Sequence, residues 1–200
     1  GTDTAYDEKV FKIGKKLVTK LFNASKFTLN ILQDFSADQL DVNSITEELD
    51  RSLIHELHKT IQKCTNDFIV FVYTGGLEHA ENFFWNTFCD NYLELIKARC
   101  YDESEPVKRL SAQTTLYIAL KSILKLFAPF QPFITEEVWS WFFRAHSNDL
   151  SIHASSWPNV SELSGVPAPS ETNNYGLICE LLAAVRKVKS QNQCSIKTPV

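Results

Sequence analysis

Basic, amide and aromatic side chains share one face of a helix predicted near the start of the chain. On a helical wheel of about 100° per residue, the residues that fall together are Lys16, Lys20, Asn23 and Phe27, with Lys9 and Lys12 one to two turns earlier. We call these six residues the lysine face. Ammonium groups bind phosphates, an aromatic ring stacks on an unpaired base, and an amide can hydrogen-bond to a base edge. The lysine face therefore favours binding of single-stranded nucleic acid.

Phe27 is the unexpected member of this face, because the apolar stripe of the same helix lies opposite it. That stripe contains Leu17, Leu21 and Ala24. A phenyl ring left in water forfeits roughly 1.5–3 kcal/mol of burial. Either another part of the protein packs over the ring or a binding partner covers it, and the wheel alone does not decide between the two.

The charges of the chain are unevenly distributed. The net charge of the 200 residues is −4, which by itself indicates no partner. Residues 9–26 nevertheless carry six lysines and no acid, whereas residues 34–56 carry seven acids and one arginine. A second basic segment, residues 181–200, includes Arg186 and Lys187. Such asymmetry favours a polar partner for the basic segments, although a solvated helix surface gives the same pattern.

The sequence lacks the usual signatures of an active site. It has no phosphate-binding glycine loop, no nucleophile elbow and no Glu-x-x-His pair. His55 and His58 are spaced to share a metal ion, but a helix surface is the simpler interpretation. We therefore predict no catalytic residue and no metal site, and we interpret the chain as a binding module.

The apolar spacing predicts an all-α protein. Helices are expected at residues 7–34, 44–68, 77–99, 106–127, 133–143 and 175–189. Long helices joined by modest loops indicate an antiparallel helix bundle, which we assign to residues 1–148. Residues 149–200 are predicted to form a small, truncated α+β appendage with a short strand at 151–154, a linker and a helix.

The cysteines and the apolar runs indicate the cellular setting. Five cysteines, an odd number without a C-x-x-C pair, favour a reduced, cytoplasmic protein. No signal peptide or membrane-spanning run is found, so no membrane association is expected. The chain begins with Gly1 and contains no methionine, which suggests a piece of a longer protein.

Several motifs resemble the valyl-tRNA synthetases, which are class I aminoacyl-tRNA synthetases. They are G-K-K-L-V-T-K-L-F-N-A-S-K-F (14–27), L-D-R-S-L-I (49–54), F-F-W-N-T-F-C-D-N-Y-L-E-L-I-K (83–97), F-A-P-F-Q-P-F-I-T-E-E-V-W (127–139) and S-I-H-A-S-S-W-P (151–158). The resemblance implies the helix-bundle anticodon-binding domain, which follows the catalytic domain in that family. The family's catalytic signatures H-I-G-H and K-M-S-K-S are absent.

The resemblance also implies a partner and a set of contacts. By the resemblance, Lys9, Lys20 and Phe27 match the family's anticodon contacts. The helical wheel adds Lys12, Lys16 and Asn23. The helix with Arg186 and Lys187 resembles the segment that leads to the family's C-terminal extension. The implied partners are a valine-accepting tRNA and the parent's catalytic domain, in a monomer. ATP and Mg²⁺ are implied for the parent and no cofactor for these residues.

Two other interpretations remain open from the sequence. The domain could come from an isoleucyl-tRNA synthetase. Alternatively, the chain could be a helical protein-interaction scaffold whose lysine face only makes it soluble.

Overall fold

The computed structural model describes residues 8–37, 40–172 and 174–195, and helices dominate these residues. The main elements are α1 (Glu8–Ile31), α2 (Glu48–Ile69), α3 (Tyr73–Asn82), a π-helix (Phe83–Tyr92), α4 (Leu93–Cys100), α5 (Pro106–Phe127), α6 (Pro132–Trp141) and α7 (Asn174–Gln191). Short 3-10 helices lie in the loops. The predicted all-α class is confirmed.

The long helices alternate in direction, as expected of an antiparallel bundle. Gln113, near the start of α5, donates a hydrogen bond of 2.9 Å to the carbonyl oxygen of Ile31 at the end of α1. At the opposite end of the bundle, the rings of Phe68 on α2 and Phe130 after α5 lie 5.8 Å apart. The end of α5 therefore lies beside the end of α2, and both lie at the end where α1 begins.

An aromatic core holds the helices together. The predicted apolar stripe of α1 faces it, because Leu17, Leu21 and Ala24 are all buried. The largest fully buried side chains are Trp139, Tyr92, Phe84, Phe88, Phe127 and Phe143. Rings of this size each bury a large apolar area and dominate the packing energy of the bundle.

A buried carboxylate connects four elements at the end of the bundle where α1 ends and α2 begins. Asp50 of α2 is fully buried, and it accepts hydrogen bonds from Tyr92 Oη (2.7 Å), Ser111 Oγ (2.6 Å) and the Arg99 guanidinium. A buried charge is tolerated only when such partners satisfy it. The network thus fixes α2 against the π-helix, α4 and α5.

The predicted third helix, residues 77–99, differs from the structure at its start, because α3 begins at Tyr73, and in its middle. Residues 83–92 form a π-helix, in which each N–H bonds to the carbonyl five residues earlier. Phe84, Phe88 and Tyr92 are buried on its inner side, whereas Trp85 is half-buried and Asp90 is exposed. The π-helix therefore has an aromatic inner side and a more polar outer side.

The turn between α2 and α3 contains a residue in an unfavourable backbone conformation. Phe71 has φ of 62°, in the left-handed region, and its side chain is 76 % exposed. Val72 N–H bonds to Asp67 O (2.8 Å) and Phe71 N–H to Phe68 O (3.2 Å), the two bonds of a Schellman motif. Glycine is the usual residue at that position, because it has no Cβ to clash.

The predicted α+β appendage is wrong, since no strand occurs in the described part of the chain. The residues expected to form a strand instead contain a 3-10 helix, Ile152–Ala154. The Ser151 hydroxyl accepts a hydrogen bond from His153 N–H, which satisfies the backbone locally and favours a turn over an extended strand. Ile152 and Leu163 are buried in the same core as the bundle helices. The boundary at residue 148 stays a prediction.

The five cysteines are not joined in disulfides. Cys64, Cys89 and Cys100 are buried, and burial raises the pKa of their thiols to about 12, 12 and 11. Among the described residues, no helix combines the length and the apolarity that crossing a bilayer requires.

We predict that Arg99→Ala lowers the free energy of unfolding by about 3 kcal/mol, because it leaves the Asp50 carboxylate buried without its cation. Urea denaturation measures the change. The control is Lys59→Ala, which removes an exposed ion pair with Glu56 (2.8 Å) and should change stability by less than about 0.5 kcal/mol. Equal effects of the two variants would contradict the assigned role of the Asp50 network.

Candidate nucleic-acid interface

Most of the lysine face is open to solvent. The side chains of Lys9, Lys12, Lys16 and Asn23 are exposed on α1. They lie opposite the buried Leu17 and Leu21, so the amphipathic pattern of α1 is that predicted. The exposed lysines provide a strip of positive charge along one side of the bundle.

Lys20 lies where α1 meets the π-helix. Its Nζ is 3.3 Å from Asp90 Oδ1 and 5.3 Å from the centre of the Trp85 ring. The Lys20 side chain is 35 % exposed and that of Asp90 53 %. Ion pairs with this exposure are worth at most about 1 kcal/mol. The ammonium can therefore be transferred to a phosphate at little cost.

Phe27 is half-buried rather than fully exposed, and it packs against the edge of the core. Lys97 of α4 places its Nζ 5.5 Å from the centre of the Phe27 ring. Other parts of the protein therefore cover the ring in part, which is the first alternative from the sequence, and the rest of the ring remains accessible. The same ammonium lies 2.6 Å from Glu94 Oε1 in an exposed ion pair.

Phe27 and Trp85 therefore share one arrangement. Each is a half-buried ring with a lysine ammonium over it, and each lysine pairs with an exposed carboxylate. A cation over a ring face is attracted by about 0.5–1 kcal/mol at exposed sites. A base that stacks on either ring would displace an ammonium, which is then available to a phosphate.

Arg186 brings α7 to the outer side of the π-helix. Its guanidinium donates to Asp90 O (2.8 Å) and Asn91 Oδ1 (3.1 Å). Tyr175 Oη, earlier in α7, donates to Thr87 O (2.7 Å). Arg186 and Lys20 thus both contact Asp90, which places the two basic segments side by side.

Lys187 is exposed on α7, and no described contact joins it to the lysine face. Arg186, in contrast, already uses part of its guanidinium to hold α7 in place. An arginine has five N–H donors, so further acceptors can still bind.

Sequence reasoning missed three residues of this surface: Trp85, Asp90 and Lys97. All three lie in the 83–97 motif that carried the resemblance. A wheel of about 100° per residue does not apply to a π-helix, which turns less per residue, so the directions of Trp85 and Asp90 could not be read from spacing. Lys97 lies in α4, and its place over Phe27 depends on how α4 packs beside α1.

The surface formed by α1, the π-helix and α4 presents ammonium groups, an amide and aromatic rings, which are groups suited to binding. Within residues 8–37, 40–172 and 174–195, no group of three His, Cys, Asp or Glu side chains is arranged to hold a metal ion. His55 and His58 line a shallow groove with Leu163 and Pro167. Burial and the nearby charge of Lys59 lower the pKa of His55.

We predict that Phe27→Ala leaves the bundle folded but lowers the free energy of unfolding by about 1 kcal/mol, since the ring is half-buried. Far-UV circular dichroism and urea denaturation check both parts. Loss of helicity at 25 °C would show that the ring is a core residue instead.

Comparison with known proteins identifies the family to which the chain belongs. Residues 50–200 match the family described as the anticodon-binding domain of tRNA ligase. The chain is 44 % identical over its whole length to a valine–tRNA ligase of Thermobifida fusca, and 42 % identical to that of Cutibacterium acnes. It is also 41 % identical over 98 % of its length to the valine–tRNA ligase of a Wolbachia species. The chain spans only 22 % of the length of each of these relatives. Its match over three quarters of its residues shows that the chain belongs to the anticodon-binding domain family of tRNA ligases.

Proposed function

We propose that the chain binds the anticodon loop of a valine-accepting tRNA through the lysine face of α1. The observation that carries the proposal is the half-buried Phe27 ring under the Lys97 ammonium, on a helix whose exposed side is basic. An anticodon loop offers unpaired bases and closely spaced phosphates. Stacking on an aromatic side chain contributes about 1–3 kcal/mol per base.

Each member of the surface has a proposed role. Phe27 stacks on an anticodon base, and Lys20 exchanges Asp90 for a phosphate or a base edge. Lys9, Lys12 and Lys16 attract the RNA backbone, and Asn23 hydrogen-bonds to a base edge. Arg186 and Lys187 add positive charge from α7, where Arg186 is held beside Asp90.

The longer protein is then a valine–tRNA ligase, an enzyme that joins valine to tRNA with ATP. We propose that ATP and Mg²⁺ bind elsewhere in it, because the residues described here offer no cluster of metal-ligating side chains. The chain would hold the tRNA while the catalytic domain acts on its acceptor end. A cytoplasmic location and a monomeric state remain expectations.

The partner domain has a candidate docking surface at the end of the bundle where α1 begins. Exposed apolar side chains concentrate there: Ile13, Ile69, Val70, Phe71, Val72, Tyr73 and Phe133. Phe71 is 76 % exposed and Phe133 90 %. Apolar patches of this kind mark interaction sites. We propose that the catalytic domain of the longer protein covers this apolar end, since most of the length of the relatives lies outside this chain.

RNA binding by the 200-residue chain is predicted to depend on Phe27 and Lys20. Phe27→Ala should weaken binding of an anticodon stem-loop by about fivefold or more, through lost stacking. Lys20→Ala should weaken it and reduce the slope of log K against log salt by roughly one. Fluorescence anisotropy at several salt concentrations measures both.

Two variants are matched controls for these changes. Phe133→Ala removes an exposed phenyl ring from the apolar end, and Lys108→Ala removes a lysine that pairs with Glu105 (2.7 Å), as Lys20 pairs with Asp90. Neither should change the affinity. Binding that is absent at low salt, or equally affected by tests and controls, contradicts the proposal and favours the scaffold interpretation.

The same titration tests whether the domain prefers a valine or an isoleucine anticodon. A stem-loop with a valine anticodon should bind more tightly than one with an isoleucine anticodon. The reverse order would assign the domain to an isoleucyl enzyme.

We predict that Phe71→Gly raises the free energy of unfolding of the 200-residue chain by about 1 kcal/mol, because glycine relieves the left-handed strain. The same change should lower aminoacylation by the longer protein, since it removes a ring from the docking surface, while leaving stem-loop affinity unchanged. A stabilised chain with full aminoacylation would argue against docking at the apolar end.

A further inference from the structure

We propose that Trp85 of the π-helix is a second base-stacking residue, beside Phe27, for the same RNA. The proposal rests on the proposed function, because it assigns to the anticodon loop a contact that neither the motifs nor the wheel identified. Trp85 is half-buried, so one part of the indole packs on the bundle and the rest is accessible. Its ring lies 5.8 Å from that of Phe84, in an edge-on contact that fixes its orientation.

The indole N–H distinguishes Trp85 from the other tryptophans. Trp139, Trp141 and Trp157 donate to Asp149 O (3.3 Å), Glu137 Oε1 (3.0 Å) and Thr65 Oγ1 (3.0 Å), respectively. No acceptor for Trp85 Nε1 is found in the described part of the chain, and this atom is not among the buried polar atoms without a partner. The N–H therefore reaches solvent, where it can donate to a base carbonyl or a phosphate.

Lys20 connects Trp85 to the lysine face. Its ammonium lies 5.3 Å from the Trp85 ring centre, and its side chain is partly exposed, so it covers the ring from the solvent side. A base that stacks on Trp85 takes the place of the ammonium, which moves to an adjacent phosphate. One nucleotide segment of the RNA thereby contacts both the Trp85 ring and the Lys20 ammonium.

The spacing of the two rings indicates that they hold different bases. Trp85 lies beside Lys20, and Phe27 lies seven residues further along α1, which is about 10 Å along the helix axis. Stacked bases are much closer than this. Contacts spaced in this way along α1 suit bases that the loop splays apart, as unpaired loop bases commonly are on protein surfaces.

The test compares Trp85→Leu with Trp85→Phe in the 200-residue chain. Leucine keeps most of the apolar packing without a π face, whereas phenylalanine restores the face. We expect Trp85→Leu to weaken anticodon stem-loop binding by about fivefold or more, and Trp85→Phe to recover most of the affinity. The salt dependence should be unchanged in both, since no cation is removed.

A spectroscopic measurement reports the contact directly. Stem-loop binding should quench the intrinsic tryptophan fluorescence of the unmodified chain and of the control Trp141→Phe, but much less that of Trp85→Phe. Wild-type affinity in Trp85→Leu overturns the proposal. So does equal weakening in the leucine and phenylalanine variants, which would indicate a packing role.

The two proposals fail in different ways. If the anticodon-binding proposal is wrong, the unmodified chain itself shows no salt-dependent affinity for the stem-loop. If only the Trp85 proposal is wrong, Phe27→Ala still weakens binding while Trp85→Leu does not.

Discussion

The candidate site depends on the π-helix having two unlike sides. Its inner aromatic rings, Phe84, Phe88 and Tyr92, are buried and fix the segment in the core. That leaves Asp90 on the outer side, where it contacts Lys20 of α1 and Arg186 of α7. Lys20 contacts the side-chain carboxylate of Asp90 and Arg186 its backbone carbonyl oxygen, so the two basic segments of the chain meet at this residue. The rings and lysines that we assign to RNA binding take their positions from this junction.

The lysine–carboxylate ion pairs on this surface are weak enough for RNA phosphates to replace the carboxylates. The ion pair between Lys20 and Asp90 is exposed and therefore weak, and the same holds for the pair between Lys97 and Glu94. Asp50 differs, because its carboxylate is fully buried and its partners are hydrogen-bonded to it. The bundle therefore places its strong polar network in the interior and its replaceable ion pairs on the surface. A bound phosphate can replace the latter without disturbing the former.

Local signals were sufficient to predict much of the fold. The bounds of α5 follow from Pro106 at its first turn and Pro129 just after its end, and the buried stripe of α1 follows from spacing alone. The half-burial of Phe27 could not be predicted in this way, because the ring packs against core residues and beside Lys97 of α4, which the wheel of α1 does not include. The π-helix was missed because apolar spacing of three and four residues does not reveal the hydrogen-bond register of the backbone. The strand expected at 151–154 was wrong because a serine side chain, Ser151, supplies the turn.

Binding through the lysine face and Trp85 requires that RNA contact the side of the bundle formed by α1 and the π-helix, away from the apolar end. The most direct measurement is the map of amide and side-chain chemical shifts when an isotopically labelled chain is titrated with an anticodon stem-loop. We expect the largest changes in residues 9–27, at the indole of Trp85 and around Asp90, with little change at Phe71 and Phe133. Changes centred on the apolar end, or absent altogether at low salt, would contradict this expectation.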